Sequence, residues 1–114
     1  MSYMSEEVFR REACVILGTD LMERDNESSL TTYHRHFGTS PRTCSILWNL
    51  MVDKESLERE SRPKHLLWTL MWMYLYQSYT VLCLYIGCTH KTFQKHRNMI
   101  VKALNEIQIV SHGI

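Results

Sequence analysis

The chain has almost no net charge: 13 lysines and arginines stand against 12 aspartates and glutamates, giving +1 at pH 7. A global basic signature, common in nucleic-acid-binding proteins, is therefore missing. Also missing are strand-like alternation, internal repeats and low-complexity tracts, which leaves helices as the expected building material. Glu6 and Glu7 stand near the N-terminus and no long apolar run accompanies them, so neither a secretory nor a mitochondrial leader is expected. The chain holds no nucleophile elbow and no Gly-rich phosphate loop. Asp20, Asp25 and Asp53 are separated by helical and linker patterns, which suits solvated charge better than a metal cluster. At 114 residues there is room for one small domain with a modest core, and catalysis is not expected.

Cys14, Cys44, Cys83 and Cys88 all lie within apolar patterns, which predicts reduced, buried thiols. Cys83, Cys88, His90 and His96 match none of the familiar zinc spacings, so no metal and no cofactor is expected.

What is present is helical punctuation. Ser5 with Glu6 and Glu7 reads as a helix start; Phe9, Ala13, Ile16 and Leu17 recur at helical spacing, and Gly18 ends the run. Asp20 to Ser29 reads as a linker, and Leu30 to Phe37 as an ambiguous stretch or short helix through Tyr33 and Phe37. Ser40-Pro41 is a stronger start, continued by Cys44, Leu47, Trp48 and Met51 on one face. Asp53 to Arg62 predicts a solvated connection. Pro63 then opens a helix from Lys64 to about Tyr76 whose near-uniform apolarity predicts a central, buried element. The expected whole is a single all-α domain over residues 1–114, a small bundle of about five or six helices. An N-terminal helix and linker (1–29) precede a helical core (30–107), and a tail follows (108–114).

The segment around Gly87 carries the functional expectation. Leu82, Cys83 and Ile86 form an inner face before the glycine; Phe93, Ile100 and Leu104 return to it afterwards, on a helix from His90 to about Ile107. This reads as a helix-turn-helix over about residues 79–100, with Thr89 capping the second helix. Between His90 and Lys102 the chain carries Lys91, Lys95, Arg97 and Lys102 and no acid, whereas Asp20–Glu27 and Asp53–Glu60 are richer in acids. On the outer face Gln94 and Asn98 can pair with adenine, while Lys91 and Lys95 can donate to guanine or phosphate. Thr89 and His90 can anchor a phosphate at the helix start, and Lys102 suits a backbone contact. His96 and Arg97 fall near the inner face as rim or core residues. Trp48, Trp68 and Trp72 lie on apolar stripes, as do Met71 and Met73, and are expected in the core. The plain alternative for this outer stripe is a solvated face.

Two rival readings come from the apolar excess. Leu66 to Gly87 is about 22 residues without a formal charge, the length of a single membrane span. Against a span, Gln77-Ser78-Tyr79-Thr80 is polar and turn-like, and the Tyr and Trp residues are not confined to its ends, so no membrane is expected. The other rival is a helical protein-interaction or dimerisation module whose surface around Leu66 to Leu84 packs on a partner.

Three segments are similar to a known family. His36-Phe-Gly-Thr-Ser-Pro-Arg-Thr-Cys-Ser-Ile-Leu-Trp48, Arg62-Pro-Lys-His-Leu-Leu-Trp68, and Gly87 through Thr92-Phe93-Gln94-Lys95 resemble the N-terminal helix-turn-helix region of Harbinger-type transposases of the DDE superfamily. The likeness covers roughly Tyr33 to Ile107. It departs from the pattern at His96, where an aromatic such as Trp is expected, and in the uniform apolarity after Leu66. The resemblance implies a nuclear protein that recognises double-stranded DNA. Because the family's metal-dependent nuclease domain is not contained here, it implies recognition without strand transfer, in an excised domain, a truncated gene copy or a domesticated fragment. A separate nuclease chain, or a second copy in a homodimer, is the expected protein partner.

Overall fold

A computed structural model describes residues 2–19, 26–75 and 78–112, with side chains as far as Ile107. Six helices and no strand occur among the described residues, so the fold is all-α. Their boundaries follow local capping chemistry. In α1 (Glu6–Leu17) the first turn holds Glu6 and Glu7, and the Gly18 amide closes the helix on the Cys14 carbonyl. Ser5 stands at the N-cap as expected, although its side chain makes no cap bond. Instead its carbonyl accepts from the Val8 amide at 3.2 Å.

Helix α2 (Glu27–Phe37) starts inside the stretch expected as linker. Asn26 explains this, because its side-chain oxygen accepts from the Ser29 amide at 2.8 Å and satisfies a free donor of the first turn. Helix α3 (Pro41–Asp53) begins as its sequence suggests: Pro41 fills the first position and Ser40 Oγ accepts from the Thr43 amide at 3.2 Å.

Helix α4 (Pro63–Leu75) is the centre of the molecule, packed against all five other helices. That position accounts for its composition, since a helix surrounded on most sides has little use for a charged stripe. His65, Leu66, Leu67, Trp68, Thr69 and Met71 are buried along it. Phe9, Tyr33, Phe37, Trp48, Phe93 and Ile100 converge on the same core from the other elements, each essentially inaccessible to water. Each such large side chain contributes about 1.5–3 kcal/mol by leaving water. Trp72 packs at the core margin and is only half-buried, while Met73 is exposed, unlike the core placement expected of it.

The uncharged run after Leu66 is divided between two elements. Helix α4 stops at Leu75, and α5 (Tyr79–Ile86) is started by Ser78, whose Oγ accepts from the Val81 amide at 3.4 Å. Of the polar cluster expected to break the run, Gln77 lies outside the described residues. No helix among the described residues is long and apolar enough to cross a membrane. No disulfide occurs among the described residues; Cys14, Cys44 and Cys83 are buried and Cys88 is partly exposed.

Helix α6 (His90–His112) continues past Ile107, so the expected tail is helical through His112.

Candidate nucleic-acid interface

The junction between α5 and α6 is a two-residue turn after a glycine. Gly87 adopts φ 83°, a left-handed conformation costly for a residue with a Cβ. In that conformation the amides of Gly87 and Cys88 both reach the Cys83 carbonyl, at 2.7 and 3.1 Å, and the chain reverses into the next helix. Thr89 then caps α6, its Oγ1 accepting from the Thr92 amide at 3.2 Å. Leu82, Cys83, Phe93, Ile100 and Ala103 are buried between the helices and α4, which fixes the face that α6 turns outward.

All seven residues expected to meet DNA lie exposed on this junction and helix: Thr89, His90, Lys91, Gln94, Lys95, Asn98 and Lys102. At about 100° per residue, Lys91, Gln94, Lys95, Asn98 and Lys102 fall within a sector of roughly 100°. The sector contains no acidic residue, and the first turn of α6 contains none either, so the positive end of the helix dipole is not neutralised from within the helix.

Neighbouring elements modify this stripe in ways local sequence does not disclose. Glu60, from the loop before α4, pairs with Lys95 at 2.6 Å, and the ammonium holds the Glu60 carboxyl below its ordinary range. Both groups are more than half exposed, so the pair is weak and competes with water. On the same side, the start of α4 brings Arg62 and Lys64 close enough to disfavour protonation of His65. Lys64 Nζ lies 5.6 Å from the Trp68 ring centre, and Trp68 meets His96 edge-on. Lys64, whose charge also reaches His96 of α6, thus adds one exposed cation beside the stripe that sequence reasoning does not place in the site. Its signal is the Pro63-Lys-His run, a basic residue directly after a helix-opening proline.

His96 and Arg97 hold the rim. The His96 ring stacks on His65 with centroids 3.7 Å apart and planes 10° from parallel. His65 Nδ1 accepts from the Arg62 amide at 3.0 Å; burial, then the charges of His96, Lys64 and Arg62, push its pKa down to about 3. His65 is therefore a neutral ring at neutral pH. The Arg97 guanidinium lies 4.6 Å from the centre of Trp72 and 5.0 Å from that of Tyr79. From this aromatic seat it donates to Asn98 Oδ1 at 2.6 and 3.2 Å, fixing the amide of an exposed stripe residue.

The arrangement offers cations for phosphate and two exposed amides, of which Asn98 is held by Arg97, on one face of one helix. No protein-family model matches the chain, and no curated protein and no solved structure matches it.

Proposed function

We propose that the chain binds double-stranded DNA through the outer face of α6, as a helix-turn-helix domain similar to the N-terminal part of a Harbinger-type transposase, and that it acts in the nucleus without cutting DNA itself. The observation that carries this reading is the exposed stripe from Lys91 to Lys102, acid-free and placed directly after the Gly87 turn. A helix presented in this way fits a major groove, with Gln94 and Asn98 toward base edges and the lysines toward phosphates. Lys64 extends the basic surface toward the flanking backbone.

The test is titration of the full chain against a random-sequence duplex pool, followed by selection of preferred sites. If Lys91, Lys95 and Lys102 each neutralise one phosphate, the slope of log affinity against log salt is about −2.7. Affinity then falls about 40-fold between roughly 50 and 200 mM salt. Binding that is absent at low salt, or indifferent to salt, refutes the proposal.

A further inference from the structure

Helix α5 has eight residues, no charged side chain, and apolar groups on both of its faces. Leu82 and Cys83 are buried, yet Val81, Leu84 and Tyr85 remain 48%, 80% and 52% exposed. A helix apolar all round is ordinarily enclosed, and contiguous exposed apolar surface marks an interaction site. Beside this face opens a cavity of about 350 Å³ walled by Met71, Leu75, Val81, Leu82 and Tyr85. The remaining lining comes from the end of α2: Arg35, exposed, and His36. The His36 Nδ1 lies 2.9 Å from the Thr32 carbonyl oxygen, which can only accept, so this nitrogen carries a proton. Among the described residues, no carboxylate lines the cavity.

We propose that this face docks a short amphipathic helix from a partner protein, with acidic residues flanking one large apolar side chain that enters the cavity. The volume suits a single aromatic or branched anchor, the usual centre of a helix-in-groove contact. Arg35 at the edge selects acidic flanks, and no carboxylate among the described lining residues opposes them. A second copy of the chain is the poorer occupant. A two-fold pairing would bring the same Arg35 to both sides, with no carboxylate among the described lining residues to answer it. The proposal does not rest on the DNA-binding reading, because none of these residues belongs to the α6 stripe.

The experiment is selection of displayed random peptides on the full chain, with affinities of the winners measured against parent, Leu84→Glu and Arg35→Glu proteins. Leu84 and Arg35 are exposed, and an unchanged helical circular dichroism spectrum confirms that each variant folds. Tyr85→Ala serves in place of Leu84→Glu if that variant does not fold. The expected winners carry an aromatic or aliphatic anchor with acidic neighbours. They shift the amide resonances of α5 and lose at least about tenfold in affinity with either variant. Winners without acidic enrichment, or indifferent to both variants, overturn the proposal. So does a concentration-dependent dimer of the parent that Leu84→Glu abolishes, since that assigns the face to a second copy.

Discussion

His65 of α4 and His96 of α6 lie ring on ring, 3.7 Å between centroids, at the seam that positions the outer helix. His65 is only 4% exposed, and its folded pKa of about 3 lies below the ordinary 6.5 of the unfolded chain. The His96 pKa is pushed down as well, chiefly by burial and then by Lys95. Between those limits the unfolded state binds a proton that the folded state refuses. Stability is therefore complete above about pH 6.5 and declines as pH falls toward 3, by up to about 4 kcal/mol from His65. Urea midpoints measured across this range should fall with acid in the parent. His65→Gln, which cannot titrate, should show a shallower decline whatever its stability at neutral pH.

Gly38 and Gly87 have similar backbones, φ 73° and 83°, in different surroundings. A Cβ on Gly87 meets nothing within 4 Å, so Gly87→Ala bears only conformational strain, about 1–2 kcal/mol. A Cβ on Gly38 falls 2.5 Å from Tyr74 Cδ1 and must displace the ring. Gly38→Ala should cost about 1 kcal/mol more than Gly87→Ala, and that excess should vanish in a Tyr74→Ala background. Denaturant melts of the four variants check it; an equal cost at both glycines would show that Tyr74 moves aside freely.

Glu60 is the one carboxylate that reaches into the basic stripe through a described ion pair, and it occupies Lys95. Under the DNA-binding reading, Glu60→Gln frees this ammonium and removes a charge that repels phosphate. Affinity for duplex DNA should rise about two- to fivefold at low salt, with the slope against log salt slightly steeper. Lys95→Gln should flatten that slope by about one unit. Anisotropy titrations at several salt concentrations measure both.

The helices whose limits depend on local chemistry were legible. Ser40-Pro41 and Gly87 are short-range signals, and the structure uses both as caps. The start of α2 is not legible from composition, because Glu27, Ser28 and Ser29 look like linker residues unless the Asn26 cap is recognised. The end of α6 was underread because no glycine or proline stands between Ile107 and His112 to stop it. Exposure of Lys91, Gln94, Lys95, Asn98 and Lys102 follows from helical periodicity alone, once Phe93 and Ile100 are placed inside. The neighbours of that stripe do not. Lys95 meets Glu60 and His96 meets His65 only because α4 and its preceding loop pack back onto α6, a relationship with no signature in either local sequence.

Arg97 provides the sharpest test of whether the stripe reads sequence. Its guanidinium lies over both Trp72 and Tyr79 and holds Asn98 Oδ1 through two hydrogen bonds, whereas Gln94, about one turn earlier, has no such support described. Asn98 is thus fixed in one orientation, with its Nδ2 donors directed by the arginine. If both amides contact bases, Gln94→Ala and Asn98→Ala should each relax preference at one position and cost about 1–3 kcal/mol on the selected site. Arg97→Lys keeps the charge but loses the planar fork and the aromatic stacking. It should relax preference at the Asn98 position alone, leaving the Gln94 position and the salt slope nearly unchanged. Phe93→Ala removes a buried ring and should cost about 3–5 kcal/mol of stability, losing binding through unfolding. Site selection with each folded variant decides the matter: full retention of preference by both Gln94→Ala and Asn98→Ala would remove α6 as the reader.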